Sequence, residues 1–541
     1  MLKIIACMLL TVLFTRCAQI TPLTGGKKDT DAPRLLKAEP KQASLNFNAK
    51  TVVLEFNEFI VLKDLSNQLI ITPAMNQLPD IEANGKTVII KFAEPLQANT
   101  TYKMAFGNAI TDLRENNPFQ DFEYIFSTGE RIDSLTLAGS VTKAFDNRPA
   151  DNTLVSLYDA QAADSLIYRE KPLYICKTDA SGKFRFNYLP DRAFKLIAVK
   201  DVNKNLMYDG PDEMIAFYDA PVKPDSAIYD LKLFKETPAK TFIRKTYATE
   251  YGKAQIIYNK PYVDYTSADG KGIFAYSPNP TKDTLTIYYR DMFDTARVVV
   301  RYKDRKADTA SIRIMSEESY KKLVQKKSLK YFIATNVSSG SLEYYRFPQI
   351  SINYPALSGK IDPDRIKLTE WKDSMLNQVA VHLTNPQNDL LNFSLESKLS
   401  PATAYTLTLE KGLFTDNAGR TSDSTSYNFK TTSPEDYAQL SLKLMFPKKE
   451  NYIVQLLNDK DQVIRMEFKS FALTETAEQK FDFQNLKPGN YFIKVIEDAN
   501  NNGRFDDGDF ISHKQPERIY YNANPIKLLA DWEIENEWKV Q

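Results

Sequence analysis

Two stretches of this 541-residue chain place oxygen-bearing side chains at the spacing of a cation-binding loop. The first is Asp498-Ala499-Asn500-Asn501-Asn502-Gly503-Arg504-Phe505-Asp506-Asp507-Gly508-Asp509. With Asp498 as position 1, Asn500, Asn502, Asp506 and Asp509 fall at positions 3, 5, 9 and 12, and Arg504 at position 7 offers its backbone carbonyl. A hard cation takes six to eight oxygens, and alternate residues of a tight loop point inward to supply them. Glycine at position 6 permits the sharp turn. Two departures from an EF-hand loop stand out: a strand precedes it, and position 12 is Asp, not the longer Glu. The second stretch, Asp201-Val202-Asn203-Lys204-Asn205-Leu206-Met207-Tyr208-Asp209-Gly210-Pro211-Asp212, keeps the positions (Asp201, Asn203, Asn205, Met207, Asp209, Asp212) but has Leu206 in place of glycine. It is expected to bind more weakly. The expected cofactor is calcium in a structural role, since a fully ligated ion leaves no free coordination site. The alternative is an Asx-rich hairpin turn whose Asn and Asp side chains bond their own backbone.

These loops belong to a larger duplication. Leu96, Thr100, Tyr102, Tyr124, Phe126 and Thr128 recur as Leu399, Thr403, Tyr405, Tyr427, Phe429 and Thr431, each displaced by 303 residues. Phe184, Phe186, Leu189 and Phe194, followed by the loop positions, recur as Phe481, Phe483, Leu486 and Tyr491, displaced by 297. The chain thus contains two copies of a two-domain unit. Runs such as Val53–Phe59 and Lys86–Phe92 are short, β-branched or aromatic, and bounded by turn residues, the signature of strands. Tyr and Phe number 30 and 31 against 18 Gly, which favours packed β structure over a low-complexity stalk.

The run Phe56-Asn57-Glu58, the Leu-x-x-x-Thr-x-Tyr motif, Thr111-Asp112 and the terminal Phe-Ser-Thr resemble the bacterial Ig-like domain of the S-layer (SbsA) type. The second copy keeps Leu399 to Tyr405, Thr415–Gly419 and Phe429-Lys430-Thr431. The modules after each, with Gly182-Lys183-Phe184-Arg185-Phe186 leading to Leu189-Pro190 and Lys480-Phe481-Asp482-Phe483 to Leu486-Lys487-Pro488, are similar to prealbumin-like or collagen-adhesin B-type repeats. The resemblance implies an all-β fold of tandem immunoglobulin-like and prealbumin-like sandwiches in an elongated array. The expected organisation is a signal peptide at 1–16, a lipidated tether at 17–32, and an Ig-like domain at 33–129. A prealbumin-like sandwich at 130–236 and an additional β domain at 237–327 follow, then a second Ig-like domain at 328–432 and a second prealbumin-like sandwich at 433–541. Ser316–Lys327 reads as either a short helix or a linker.

The N-terminus carries a second kind of chemistry. Lys3 and the apolar run Met8–Phe14 form an export signal, too short for a bilayer span, which needs about 20 apolar residues. Leu13-Phe14-Thr15-Arg16-Cys17 resembles a lipoprotein cleavage box, which implies lipidation at Cys17; Thr15 and Arg16 depart from its usual small residues. The stretch from Cys17 through Gly25-Gly26 to Pro33 is also similar to the start of Ig-like lipoproteins common in Bacteroidetes. Ala18-Gln19-Ile20-Thr21 follows the cysteine and the first acidic residue is Asp29, which leans towards the periplasmic side of the outer membrane over the cell surface.

Several function classes recede. Seventy basic and 69 acidic residues, without a basic run, give no sign of nucleic-acid binding. Of three cysteines, Cys7 leaves with the signal and Cys17 would carry lipid, so Cys176 has no disulfide partner. It lies in a strand-like run and reads as a buried small residue; His382 and His513 are the only candidate bases. No nucleophile elbow, phosphate loop, dinucleotide fingerprint or His-Glu-x-x-His motif occurs, so no catalytic residue is assigned. A carboxylate pair for hydrolysis stays open without a nominee. The expected function is that of a non-catalytic outer-membrane lipoprotein, a scaffold or accessory subunit of an envelope protein complex. The alternative is a surface carbohydrate-binding or adhesive protein, with Tyr288-Tyr289 and Tyr520-Tyr521 as candidate platforms.

Overall fold

The computed structural model describes residues 29–303, 305–326, 331–372, 375–385, 389–416, 419–472 and 476–541. The signal segment, Cys17 and the tether up to residue 28 lie outside the described residues, as do Asn417 and Ala418. Among the described residues, strands are the dominant regular structure and helix is scarce. It divides into two compact units, residues up to Thr142 with Pro149–Leu233, and Lys143–Arg148 with Phe234–Gln541.

The first unit opens with a sandwich. One sheet pairs Leu35–Glu39, Thr51–Phe56, Thr87–Lys91 and Asp80–Asn84; the other pairs Ile70–Thr72, Thr101–Ala105 and Glu123–Ser127. Thr51–Phe56 shows how the sequence specifies this, because Val52, Leu54 and Phe56 alternate onto the buried face. The next module is a single hydrogen-bonded set of seven strands. Its order is Tyr174–Lys177, Leu154–Asp159, Phe194–Val199, Met214–Phe217, Ile228–Lys235, Leu135–Lys143 and Lys183–Leu189. A Cβ at Gly139 would collide with the Tyr229 carbonyl and the Phe184 ring, so glycine there lets Phe184 lie over the strand.

The second unit holds three further β modules. Residues 243–313 form a sandwich whose four-stranded sheet contains Lys253–Tyr258 and Thr284–Tyr289, and whose three-stranded sheet contains Thr295–Tyr302. Residues 317–325 form a helix, Glu317–Gln325, capped by Ser316, whose Oγ accepts from the Ser319 amide at 3.3 Å. Tyr320 on this helix stacks on Tyr251 with ring centroids 3.9 Å apart. A second Ig-like sandwich follows, built on Ile366–Lys372, Ala404–Leu409 and Thr425–Thr431 in one sheet and Gln349–Ile352 with Asn392–Ser397 in the other. The last module sets Glu478–Leu486, Ala438–Met445 and Glu533–Lys539 against Val463–Ser470, Asn451–Asn458, Gly489–Glu497 and Ile519–Leu528.

The duplication holds at the level of single bonds. Tyr102 stacks on Phe126 at 5.3 Å and Tyr405 on Phe429 at 5.5 Å. Each tyrosine hydroxyl accepts a backbone amide five residues upstream, from Gln97 at 2.9 Å and Ser400 at 2.7 Å. This is the tyrosine-corner geometry of Ig-like sandwiches. In the paired modules, Leu137 faces Phe186 as Leu440 faces Phe483, and Gly139 faces Phe184 as Leu442 faces Phe481. Phe184 is buried and Phe481 half-buried against its core, because leucine fills the space that glycine leaves open.

The expectation of exposed tyrosine platforms is corrected. Tyr288, Tyr289 and Tyr520 are buried and cannot serve as exposed platforms. Consecutive tyrosines point to opposite faces of a strand, and both faces are covered: Tyr289 lies in the 243–313 core, Tyr288 in the core of the second Ig-like domain. Tyr521 is half-buried and stacks on Phe492. Cys176 packs against its module's core, and burial pushes its thiol well above the usual range, which makes it a poor nucleophile.

Candidate functional site

The two acidic loops leave equivalent strands, Phe194–Val199 and Gly489–Glu497, and close in the same way. Asp498 is 2% exposed, and its carboxylate accepts the amides of Asn502 at 2.9 Å and Gly503 at 2.8 Å. Asp201 accepts the amides of Asn205 at 3.2 Å and Leu206 at 2.9 Å, with Lys204 at 2.7 Å in addition. Position 3 repeats this pattern. Asn500 Oδ1 accepts the Asn502 amide at 3.1 Å, as Asn203 Oδ1 accepts that of Asn205 at 3.1 Å. Next, Asn502 Oδ1 accepts the Arg504 amide at 3.0 Å, as Asn205 Oδ1 accepts that of Met207 at 2.8 Å.

These Asx turns fix which way each amide faces. With the oxygens turned to the backbone, Nδ2 of Asn500 and Asn502 both donate to Asp506 Oδ2, and Nδ2 of Asn203 and Asn205 both donate to Asp209 Oδ2. Side chains at positions 3, 5 and 9 therefore gather in each loop, while the position 1 carboxylate holds the backbone at positions 5 and 6. A cation at the centre would replace the amide hydrogens as the partner of Asp506 or Asp209. Among the described residues, no group of three or more His, Cys, Asp or Glu side chains stands in metal-holding geometry.

Asp509 and Asp212 stand apart from this gathering. Asp509 Oδ1 accepts from the Ser512 amide at 2.7 Å and the Ser512 hydroxyl at 2.6 Å, and these bonds hold its carboxyl below the usual range. Asp212 is exposed. The carboxylates that enter the loops are Glu517 and Glu213. Glu517 accepts the amides of Ala499 and Asp506, each at 2.9 Å; Glu213 accepts those of Val202 at 2.8 Å and Asp209 at 3.1 Å. Each glutamate thus joins the second and ninth residues of its loop. Burial pushes the Glu517 carboxyl up, against the opposing pull of its backbone bonds. Sequence spacing missed this pair: Glu213 directly follows Asp212, whereas ten residues, Asp507–Pro516, stand where the first copy has three, and this seven-residue insertion carries Glu517 out of register. The insertion folds as a turn in which Asp509 and Lys514 pair, and the Phe510 amide donates to Glu236 at 2.6 Å.

At position 6, Gly503 and Leu206 adopt φ of +74° and +67°. The backbone demands a left-handed residue in both copies, and the first meets it with a leucine. Arg504 reaches its neighbour Asp506 at 3.3 Å and lies 4.1 Å from the Tyr262 ring centroid.

Residues 29–128 match the bacterial Ig-like domain family. No curated protein sequence matches the chain. Among solved structures, the chain is similar to surface layer protein SbsC, domains 1–6, at 9% identity, covering 92% of this chain and 67% of that one with a TM-score of 0.15. The major pilin subunit BcpA of Bacillus cereus aligns at 10% identity over 75% of this chain and 99% of its own, with a TM-score of 0.14. The Bacteroides ovatus SGBP-B protein of a mixed-linkage glucan utilization locus, in complex with a mixed-linkage heptasaccharide, aligns at 12% identity over 66% and 89%, with a TM-score of 0.17. Likenesses of this size say nothing of shared activity.

Proposed function

We propose that this chain, whose residues 29–128 are a bacterial Ig-like domain, is a non-catalytic, lipid-anchored envelope protein that serves as a scaffold or accessory subunit of an envelope complex. The observation that carries the reading is the bond-for-bond repetition of the two loops. Each converts a long, polar connection into a fixed surface by satisfying its own amides, which suits a protein that presents rigid loops to a partner. The export signal and the Cys17 box support an outer-membrane anchor, and the neutral residues after Cys17 support its periplasmic face. No helix of the described residues is long and apolar enough to cross a membrane.

The test is co-purification from detergent-solubilised outer membranes after mild cross-linking. Recovery with a stoichiometric envelope partner is expected; recovery solely as a free monomer removes the scaffold reading. Calcium belongs to the proposal as a structural ion of the loops, the Gly503 loop above all. Calcium is then expected to raise Tm by a few degrees and EDTA to reverse it, whereas a Tm indifferent to both leaves the hydrogen-bonded closure as the whole device.

A further inference from the structure

The second unit carries a groove of about 510 Å³ at one end of its last sandwich. One wall is the Glu343–Arg346 segment of the second Ig-like domain; the other is formed by the turns at 458–463 and 487–491. The walls are held together by contacts already made. Tyr344 OH donates to Asn485 Oδ1 at 2.7 Å, and Lys487 pairs with Glu343 at 2.8 Å. Tyr345 is wedged edge-on between Tyr344 and Tyr437, at centroid distances of 5.3 and 5.4 Å. The shape therefore exists before any ligand arrives, which removes part of the ordering cost of binding.

The groups left over indicate what would bind. The Asp459 carboxylate and the Asn490 side-chain amide line the groove and make no hydrogen bond to another described residue. The Arg346 guanidinium has only a 3.9 Å contact to Glu343 and a distant approach to the Tyr345 ring. Acceptors and donors thus face the same space, beside a half-buried tyrosine ring. A phosphate or carboxylate ligand calls for donors alone; of the three cations in the lining, Lys487 is engaged by Glu343 and Arg465 by the carbonyls of Ile464, Gln484 and Asn485, which leaves Arg346 alone beside the repelling Asp459 carboxylate. An extended peptide could add to the free edge of the strand Val463–Ser470, whose first three residues line the groove, but such pairing uses backbone groups and leaves the Asp459, Asn490 and Arg346 side chains unanswered. A sugar hydroxyl both donates and accepts, and the C–H face of a sugar ring can lie against Tyr345.

We propose that this groove binds a neutral oligosaccharide. The reading does not depend on the lipid anchor, and its test needs none. The full-length protein is screened against an array of neutral gluco-, manno-, xylo- and N-acetylglucosamine oligomers, with acidic glycans and inorganic phosphate alongside. At least one neutral oligomer is expected to bind, and Arg346→Ala and Asp459→Ala are each expected to weaken it about tenfold or more, as loss of a charge-assisted hydrogen bond does. Both side chains are exposed, so Tm should not move. Silence across the neutral oligomers, binding that neither substitution weakens, or binding confined to acidic glycans or phosphate overturns the proposal.

Discussion

At the scale of single residues, the two loops are a natural comparison of leucine with glycine in one backbone conformation. A left-handed φ costs a side-chain-bearing residue about 1–2 kcal/mol, offset in part by the greater freedom that glycine loses on folding. Leu206→Gly is therefore expected to stabilise the first unit by about 0.5–1 kcal/mol. Gly503→Leu should destabilise the second by about 1–2 kcal/mol, since its Cβ would also press on the Phe468 ring at 3.2 Å. Denaturant unfolding of both variants checks the opposite signs. Lys494 offers a different residue-level test. It is 5% exposed with its ammonium 3.6 Å from the Phe145 ring centroid, and burial lowers its pKa to about 8 although Asp146 and Asp461 pull upward. Between pH 8 and the unfolded value near 10.5, the unfolded chain then holds more protons, so stability rises with pH across that window. Lys494→Met should abolish this rise, on the order of 2 kcal/mol, in unfolding curves taken from pH 7.5 to 10.5. Equal slopes for the two proteins would show that the ammonium is solvated.

At the scale of elements, the repeated Leu-x-x-x-Thr-x-Tyr run and its terminal threonine form one device. Thr128 Oγ1 accepts the Thr100 amide at 3.0 Å and donates to the Gln97 carbonyl at 2.6 Å; Thr431 does the same with Thr403 at 3.0 Å and Ser400 at 2.7 Å. Each hydroxyl pins the loop that enters one strand to the end of its neighbour. Removing it leaves a donor and an acceptor without partners, so Thr128→Val and Thr431→Val should each cost about 1–3 kcal/mol. The larger loss belongs to Thr431, which is 2% exposed. Hydrogen exchange at the Thr100 and Thr403 amides reads the two events separately, and unchanged protection would mean that water takes the hydroxyl's place. The recurrence of these residues was legible in the sequence as a fixed offset of 303, but the threonine bonds, which close over 28 to 31 residues, were not. The all-β class followed from strand alternation and turns, which are short-range patterns. Glu213 and Glu517 were not legible, because one sits a single residue past the expected position and the other lies beyond an insertion whose fold spacing cannot reveal. Tyr288 and Tyr289 misled for a related reason. Alternation says that they face opposite ways, but not that a neighbouring domain covers the outer face. The Tyr345 groove is equally tertiary, since its lining comes from segments more than 100 residues apart.

At the scale of the whole molecule, the proposed anchor rests localisation on one cysteine ahead of the duplicated modules. The 17–32 stretch, with two adjacent glycines and few apolar side chains, separates Cys17 from the first sandwich in the sequence. Under that proposal lipid on Cys17 would supply the anchor, and stable membrane residence requires at least two hydrocarbon chains or a second signal. Cys17→Ser removes the attachment atom while leaving every sandwich unchanged. The expected outcome is loss of incorporation of an alkyne-labelled fatty acid and transfer of the protein from the outer-membrane pellet to the soluble envelope fraction, with unchanged Tm. The competing outcome is equally concrete: a wild-type chain that takes up no label, is already soluble, and begins at a residue other than Cys17 by N-terminal sequencing. That result would make the leader an ordinary export signal and require any partner to be held by the β modules alone.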